Sequence, residues 1–216
     1  MSWSIDASID IPGLNDAFRD AEEANIIMFC ASIDRGPTVT DQTYPGRTKK
    51  CIKIGASTAK GHRLTWVSKE DSDFLAPGEG IQPAETHLWS QQSDPFGSSV
   101  STALAAGLAG VLLYCDRLLL GNPRTNYRSE GSVDLLRIRG NMKKVFTNLA
   151  NNESRFLEVT DFFPQKVGRD KWEEKIGHDM VWNWRDEEGT QLTRKVIEDL
   201  MTILKHNLPA AATVQK

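Results

Sequence analysis

A glycine, a cluster of hydroxyls and a run of small apolar residues follow one another from Gly97 to Leu113, and no other stretch restricts the fold as strongly. It reads Gly97-Ser98-Ser99-Val100-Ser101-Thr102-Ala103 and continues as Leu104-Ala105-Ala106-Gly107-Leu108-Ala109-Gly110-Val111-Leu112-Leu113. Hydroxyl residues just ahead of an apolar run mark a helix start, because their oxygens accept from the orphan N–H groups of the first turn. Ala105, Ala106, Gly107, Ala109 and Gly110 carry almost no side-chain bulk, so the backbone of such a helix can lie very close to its neighbours. A serine at this start sits where N–H groups and the helix dipole favour negative charge. That suits a nucleophile whose reaction develops an oxyanion, although the same pattern also caps core helices with no catalytic role. The run from Ala103 to Cys115 is shorter than the roughly 20 apolar residues of a bilayer crossing, so it predicts a core helix.

The rest of the composition narrows the class. The 216 residues suffice for one large domain or a domain with an extension. The net charge of −3 makes no electrostatic case for nucleic acid or an anionic membrane. Met1-Ser2-Trp3-Ser4-Ile5-Asp6 lacks the basic and apolar regions of a secretory signal. Cys30, Cys51 and Cys115 are odd in number, far apart and each in an apolar run. They predict free thiols in a reducing compartment, with no metal spacing, and so a cytoplasmic location.

Along the chain, Trp3 and Ile5 alternate with Ser2 and Ser4, which suggests a short strand. Leu14, Ala17, Phe18 and Ala21 recur at helical spacing, with Asp16, Arg19, Asp20, Glu22 and Glu23 opposite, and the helix ends near Ala24 or Asn25. Ile26 to Ala31 is a continuous apolar run, the mark of a parallel strand buried on both faces. A loop from Ser32 to Lys50 precedes a strand at Cys51 to Ala56. Leu64 to Val67 and Phe74 to Ala76 are shorter strand candidates, the second stopped by Pro77-Gly78. This order predicts an α/β fold, in which ligands gather at the carboxyl ends of the parallel strands. After Leu120 the character changes at Gly121-Asn122-Pro123. Helical spacing returns from Asn141 to Ala150 and from Gln191 to His206, Phe156 to Phe163 is apolar, and Trp172, Trp182 and Trp184 lie among charges. The boundary near residue 120 divides the chain into 1–120 and a mainly helical extension, 121–216.

Several of these segments, in this order, resemble the subtilisin-like serine proteases, the peptidase S8 family. Gly97-Ser98-Ser99-Val100-Ser101-Thr102-Ala103-Leu104-Ala105-Ala106-Gly107 is similar to the family's Gly-Thr-Ser-Met-Ala-Thr/Ser-Pro-His-Val-Ala-Gly. Phe74-Leu75-Ala76-Pro77-Gly78-Glu79-Gly80-Ile81 resembles Val-Met-Ala-Pro-Gly-Val-x-Ile. Tyr44-Pro45 and Cys51-Ile52-Lys53-Ile54-Gly55-Ala56 resemble Tyr-Pro-Ala and Val-Ile-x-Val-Gly-Ala, and Cys30 to Gly36 corresponds to Ala-Ala-Gly-Asn-x-Gly. Met1-Ser2-Trp3-Ser4 resembles the cleft-lining Met-Ser-Leu-Gly. The resemblance covers roughly residues 1–120. It implies a subtilisin-like parallel sheet with flanking helices, incomplete at the amino terminus, and a serine endopeptidase working on a peptide or protein substrate; no cofactor is expected, and although the family often binds calcium, the sequence offers no cluster of metal ligands.

Carried over residue by residue, the resemblance makes Ser99 the nucleophile, with its own N–H as one oxyanion donor. It sets Asp34 at the oxyanion position, where most of the family has Asn. An ionised Asp only accepts hydrogen bonds, whereas a protonated one donates. Loss of an amide donor is expected to cost on the order of 10²–10³ in turnover. Ser2, Trp3, Ser4, Ala31, Ser32 and Ile33 become the walls of the substrate cleft. The family's triad order is Asp, His, Ser, and its Asp and His motifs precede the segment that begins here at Met1. His62 and His87 lie outside a His-Gly-Thr setting, and His178 and His206 belong to the extension. The expectation is therefore the carboxyl-terminal part of a longer protease, or else a catalytically inactive pseudoprotease or peptide-binding remnant. An incomplete sheet exposes apolar edge and face, which predicts that the isolated 216-residue chain aggregates. A nucleotide-binding domain is disfavoured, because neither Gly-x-Gly-x-x-Gly nor a Walker-type motif is present.

Overall fold

The structure is a computed structural model that describes residues 5–6, 11–36, 43–68, 71–81, 95–120, 135–159, 197–198, 201–202 and 208. Its centre is a parallel sheet of β2 (Met28–Ala31), β4 (Cys51–Ser57) and β5 (Phe74–Pro77), in the order β2-β4-β5. The register sets Phe29 beside Ile52, Ala31 beside Ile54, and Ile54 beside Phe74. Side chains alternate across a strand, so these residues share one face. That face is covered by α2 (Ser98–Leu120) and α3 (Arg139–Leu149), which contribute Ala105, Ala109, Leu112, Met142, Val145, Phe146 and Leu149 to one core with Ile52, Ile54 and Phe74. The Phe146 ring stands edge-on to Phe74 at 5.5 Å and tilts against Phe29 at 5.9 Å, in the geometry that the ring quadrupole favours. The helix beyond residue 135 thus packs into the same core as the sheet. The chain also returns to β5, where Leu75 N–H donates to Arg155 O and Leu157 N–H donates to Leu75 O.

α1 (Leu14–Glu23) starts after Gly13 and closes in a Schellman motif. Ile26 N–H donates to Ala21 O and Asn25 N–H to Glu22 O, with Asn25 left-handed at φ 54. This corrects the expected strand from Ile26: its first residues finish the helix, Ile26 is 54% exposed, and pairing begins only at Met28. The expected strand at Leu64 to Val67 is instead a turn, in which Val67 N–H donates to Leu64 O. Leu64 and Val67 are buried with Ala56, and pairing with β4 is limited to an antiparallel bridge between Arg63 and Ser57 with Leu64 N–H donating to Ala56 O at 3.2 Å. The loop at 32–50 holds β3 (Thr43–Tyr44), which pairs antiparallel with β1 (Ile5–Asp6), and a 3₁₀ turn at Gly46–Thr48. The strand suggested around Trp3 and Ile5 is therefore present at Ile5–Asp6 but stands apart from the parallel sheet. Cys30 and Cys51 are buried free thiols on the sheet face opposite the helices, and Cys115 is half-buried. Among residues 191–206, only 197–198 and 201–202 are described, and the Trp cluster at 172–184 lies outside the described residues.

At 23 residues, α2 is longer than the apolar run alone suggests, and its length and composition would suit a membrane crossing. Its packing across all three parallel strands, and a fully buried Asp116, make it the core helix of this domain. Its outer face keeps Leu104, Val111 and Tyr114 exposed.

The close approach of α2 to the sheet rests on Gly78, just past β5. A Cβ there would lie 2.5 Å from Ala56 Cβ and 2.6 Å from Ser101 Oγ. Gly78→Ala is expected to lower stability by about 1–3 kcal/mol through overpacking, read as a lower urea midpoint with an unchanged slope. An unchanged midpoint would contradict the tight contact.

Candidate active site

The carboxyl ends of the three parallel strands converge on the first turn of α2. β2 leads through Ser32 and Ile33 to Asp34, β4 ends at Ala56 and Ser57, and β5 ends at Ala76 and Pro77. The turn before α2 is tied to the sheet by a relay in which Gly97 N–H donates to Gly78 O at 2.7 Å and Gly78 N–H donates to Ser57 O at 2.8 Å. Gly97 is left-handed at φ 98, and a Cβ there would meet Asp34 Oδ2 at 2.9 Å, so both conformation and space call for glycine.

Three of the four hydroxyls of the cluster are consumed in building this corner. Ser98 is fully buried, donates its hydroxyl to Asp34 Oδ1 at 2.6 Å, and accepts from Ala56 N–H at 3.0 Å. Ser98 N–H donates to Asp34 Oδ2 at 2.7 Å. Ser101 donates to Ala76 O at 2.9 Å, and Thr102 returns its hydroxyl to Ser98 O at 2.6 Å. Ser99 is different: it is exposed, and neither its hydroxyl nor its N–H has a hydrogen-bond partner among the described residues. The fold therefore turns one hydroxyl and one adjacent backbone donor outward at the positive end of a long helix, which is where an acyl-transfer nucleophile and its oxyanion need them.

Asp34 is brought to this corner, yet as an acceptor. Its two oxygens cap the orphan N–H and the hydroxyl at the start of α2, a stabilising place for a carboxylate. It offers no donor toward an oxyanion. Of the other residues expected to bind substrate, Ala31 is half-buried in β2. Ser32 and Ile33 are buried, with Ser32 N–H donating to Ile54 O at 2.8 Å and Ile33 N–H donating to Asp71 Oδ2 at 3.3 Å. Those bonds hold the strand end in place. Ser2, Trp3 and Ser4 lie outside the described residues, as do His87, His178 and His206. His62 is exposed in the turn after β4, where its N–H donates to Thr58 Oγ1 at 3.2 Å, and no hydrogen bond links it to Ser99. The role of Ser98 was missed from sequence, because its partner lies 64 positions away.

Ser98→Ala removes an acceptor from the buried Ala56 N–H and a donor from Asp34, so it is expected to cost about 1–3 kcal/mol. Ser99→Ala is expected to stay within about 0.5 kcal/mol of wild type. Thermal unfolding of the two variants checks the pair, and equal losses would contradict the division between a structural and an available serine.

With this geometry in place, the comparisons are consistent with one another. The chain has the fold of part of a subtilisin-like protease domain. It superposes on a mutant of the protease domain of PatA with a TM-score of 0.53 at 19% identity, covering 76% of this chain and 57% of that one. It superposes on the prenylagaramide maturation protease PagA with a TM-score of 0.52 at 18% identity, covering 74% and 57%. In sequence it is similar to an intracellular serine protease of Paenibacillus polymyxa, 28% identical over 116 residues, which span 52% of this chain and 35% of that protein. No family model matches the chain. The chain thus spans about a third of the length of the relative that it matches in sequence.

Proposed function

We propose that this chain carries the nucleophile part of a serine endopeptidase site, with Ser99 as the nucleophile. The observation that carries the proposal is the outward, unpartnered hydroxyl and N–H of Ser99 beside three hydroxyls locked into the fold. The similarity to serine proteases supports it. Ser99 Oγ attacks the scissile carbonyl carbon, a histidine takes its proton, and the Ser99 N–H donates to the oxygen that becomes negative. Collapse of the tetrahedral intermediate expels the amine, protonated by the same histidine, and leaves an acyl-enzyme for water to cleave. The histidine and the carboxylate that orients it come from outside the described residues. An extended peptide binds by strand addition in a cleft that has the segment near Ala31 as one wall.

Asp34 favours a second reading, a catalytically inactive peptide-binding remnant, because a carboxylate stands where the resemblance expects an amide donor. The two readings separate in one set of measurements on the protein isolated from its own cells, with variants made at the gene's own locus. The protease reading predicts peptide-bond hydrolysis that Ser99→Ala abolishes. Asp34→Asn, by supplying a donor, is expected to raise kcat about 10²-fold while lowering the melting temperature through loss of one cap bond. Hydrolysis that survives Ser99→Ala would refute Ser99 as the nucleophile. Saturable peptide binding without hydrolysis, in both the wild type and Asp34→Asn, would establish the second reading.

A further inference from the structure

We propose that Cys30 and Cys51 form a peroxide-reactive dithiol, in which Cys51 is oxidised and Cys30 closes a reversible disulfide between β2 and β4. The register pairs Met28 with Cys51 and Cys30 with Lys53. Residues two apart on a strand share a face, so Cys30, Cys51 and Lys53 meet on the side of the sheet away from α2 and α3. Both thiols are buried, and they are hydrogen-bonded to each other. The turn at Gly46–Thr48 lies over them, where a Cβ on Gly46 would stand 3.6 Å from Lys53 Nζ and 3.9 Å from Cys30 Sγ. The protease chemistry uses none of these groups. Diagonal neighbours on adjoining strands sit about 7–8 Å apart, beyond the roughly 5.5–6 Å of a relaxed disulfide. Closing the bond therefore moves the four-residue β2 against β4, and a bond of that kind is readily reduced again.

The surroundings make the two sulfurs unequal. Cys30 S–H donates to the Cys51 sulfur and holds the Cys51 thiol below its ordinary range, with the charges of Arg139 and Lys53 in the same sense and burial opposed. The same bond, together with burial, pushes the Cys30 thiol up. Arg139 and Lys50 share one carboxylate, Glu22, at 3.2 and 3.6 Å, and Arg139 Nε is buried without a hydrogen-bond partner among the described residues. The Cys115 thiol is pushed up by burial and by Asp116, and it serves as the unreactive comparison. The Cys51 thiolate attacks one oxygen of a hydroperoxide and breaks the O–O bond. Sulfur is oxidised to a sulfenic acid, and the peroxide is reduced to an alkoxide that takes a proton from solvent. Cys30 then gives up its proton and attacks the sulfenic sulfur, so that the S–S bond forms and hydroxide leaves as water.

The test treats the protein isolated from its own cells, reduced and freed of reductant, with equimolar hydrogen peroxide, then alkylates and digests it for mass spectrometry. The expected result is loss of alkylation at Cys30 and Cys51, recovery of their two peptides joined by a bond that dithiothreitol cleaves, and a Cys115 that still alkylates. In Cys30→Ser, made at the gene's own locus, the serine keeps a donor toward Cys51 but forms no disulfide, so dimedone is expected to trap a sulfenic acid on Cys51. In Cys51→Ser, loss of the dimedone adduct is expected. Where circular dichroism shows that a variant is unfolded, the disulfide map of the wild type decides the matter alone. Oxidation of Cys115 ahead of the pair, a dimedone adduct on Cys30 in Cys51→Ser, or no oxidation of the folded protein would overturn the proposal.

Discussion

Asp34 and Ser98 lie 64 positions apart, and two short hydrogen bonds between them fasten the start of α2 to the end of β2. Ser98 then passes the connection on to β4, by accepting from Ala56 N–H. β5 joins through Ser101, whose hydroxyl donates to Ala76 O. One helix turn is thus bonded to the end of every strand in the parallel sheet. Without these bonds the first-turn N–H of Ser98 and the buried Ala56 N–H would lose their partners, a cost that packing of the small Ala and Gly residues of α2 would have to offset. The rigidity of the corner follows from this cross-strand bonding more than from helix propensity, since Gly107 and Gly110 both disfavour a helix.

The same bonds define the chemistry left at the surface. Because Ser98, Ser101 and Thr102 are spent on structure, Ser99 alone of the four remains available. The carboxylate that anchors the helix is also a residue that gives no donor to an oxyanion. Anchoring and transition-state stabilisation compete for one side chain, and the fold assigns Asp34 to anchoring. In the proposed protease reading, oxyanion stabilisation then falls to the Ser99 N–H and the helix dipole.

Much of the framework was legible in the chain itself. The apolar runs at Ile26 to Ala31 and Cys51 to Ala56 read as strands, and both pair in parallel, the first only from Met28 onward. The hydroxyl-to-alanine transition at Ser98 read as a helix start because first-turn N–H groups need acceptors. Local periodicity failed where an apolar residue serves something other than a ladder. Ile26 is spent on a helix cap, and Leu64 and Val67 on a turn packed over Ala56. For the site, the prominence of Ser99 followed from its place in the run, but the engagement of Asp34 with Ser98 did not. A hydrogen bond between distant segments has no period and no spacing, so only the fold reveals which carboxylate meets which serine. Sequence also assigned Ser32 and Ile33 to the cleft; both are buried, and their N–H groups are bonded to Ile54 O and Asp71 Oδ2, long-range partners that no local pattern announces.

The central claim is that Ser99 is the reactive hydroxyl of this corner. Treatment of the protein isolated from its own cells with a fluorophosphonate, followed by mass-spectrometric mapping of the adduct, tests it most directly. The account predicts one phosphonylated site at Ser99, absent after heat denaturation and absent in Ser99→Ala. An adduct on Ser98 or Ser101, or none at all on the folded protein, would contradict it.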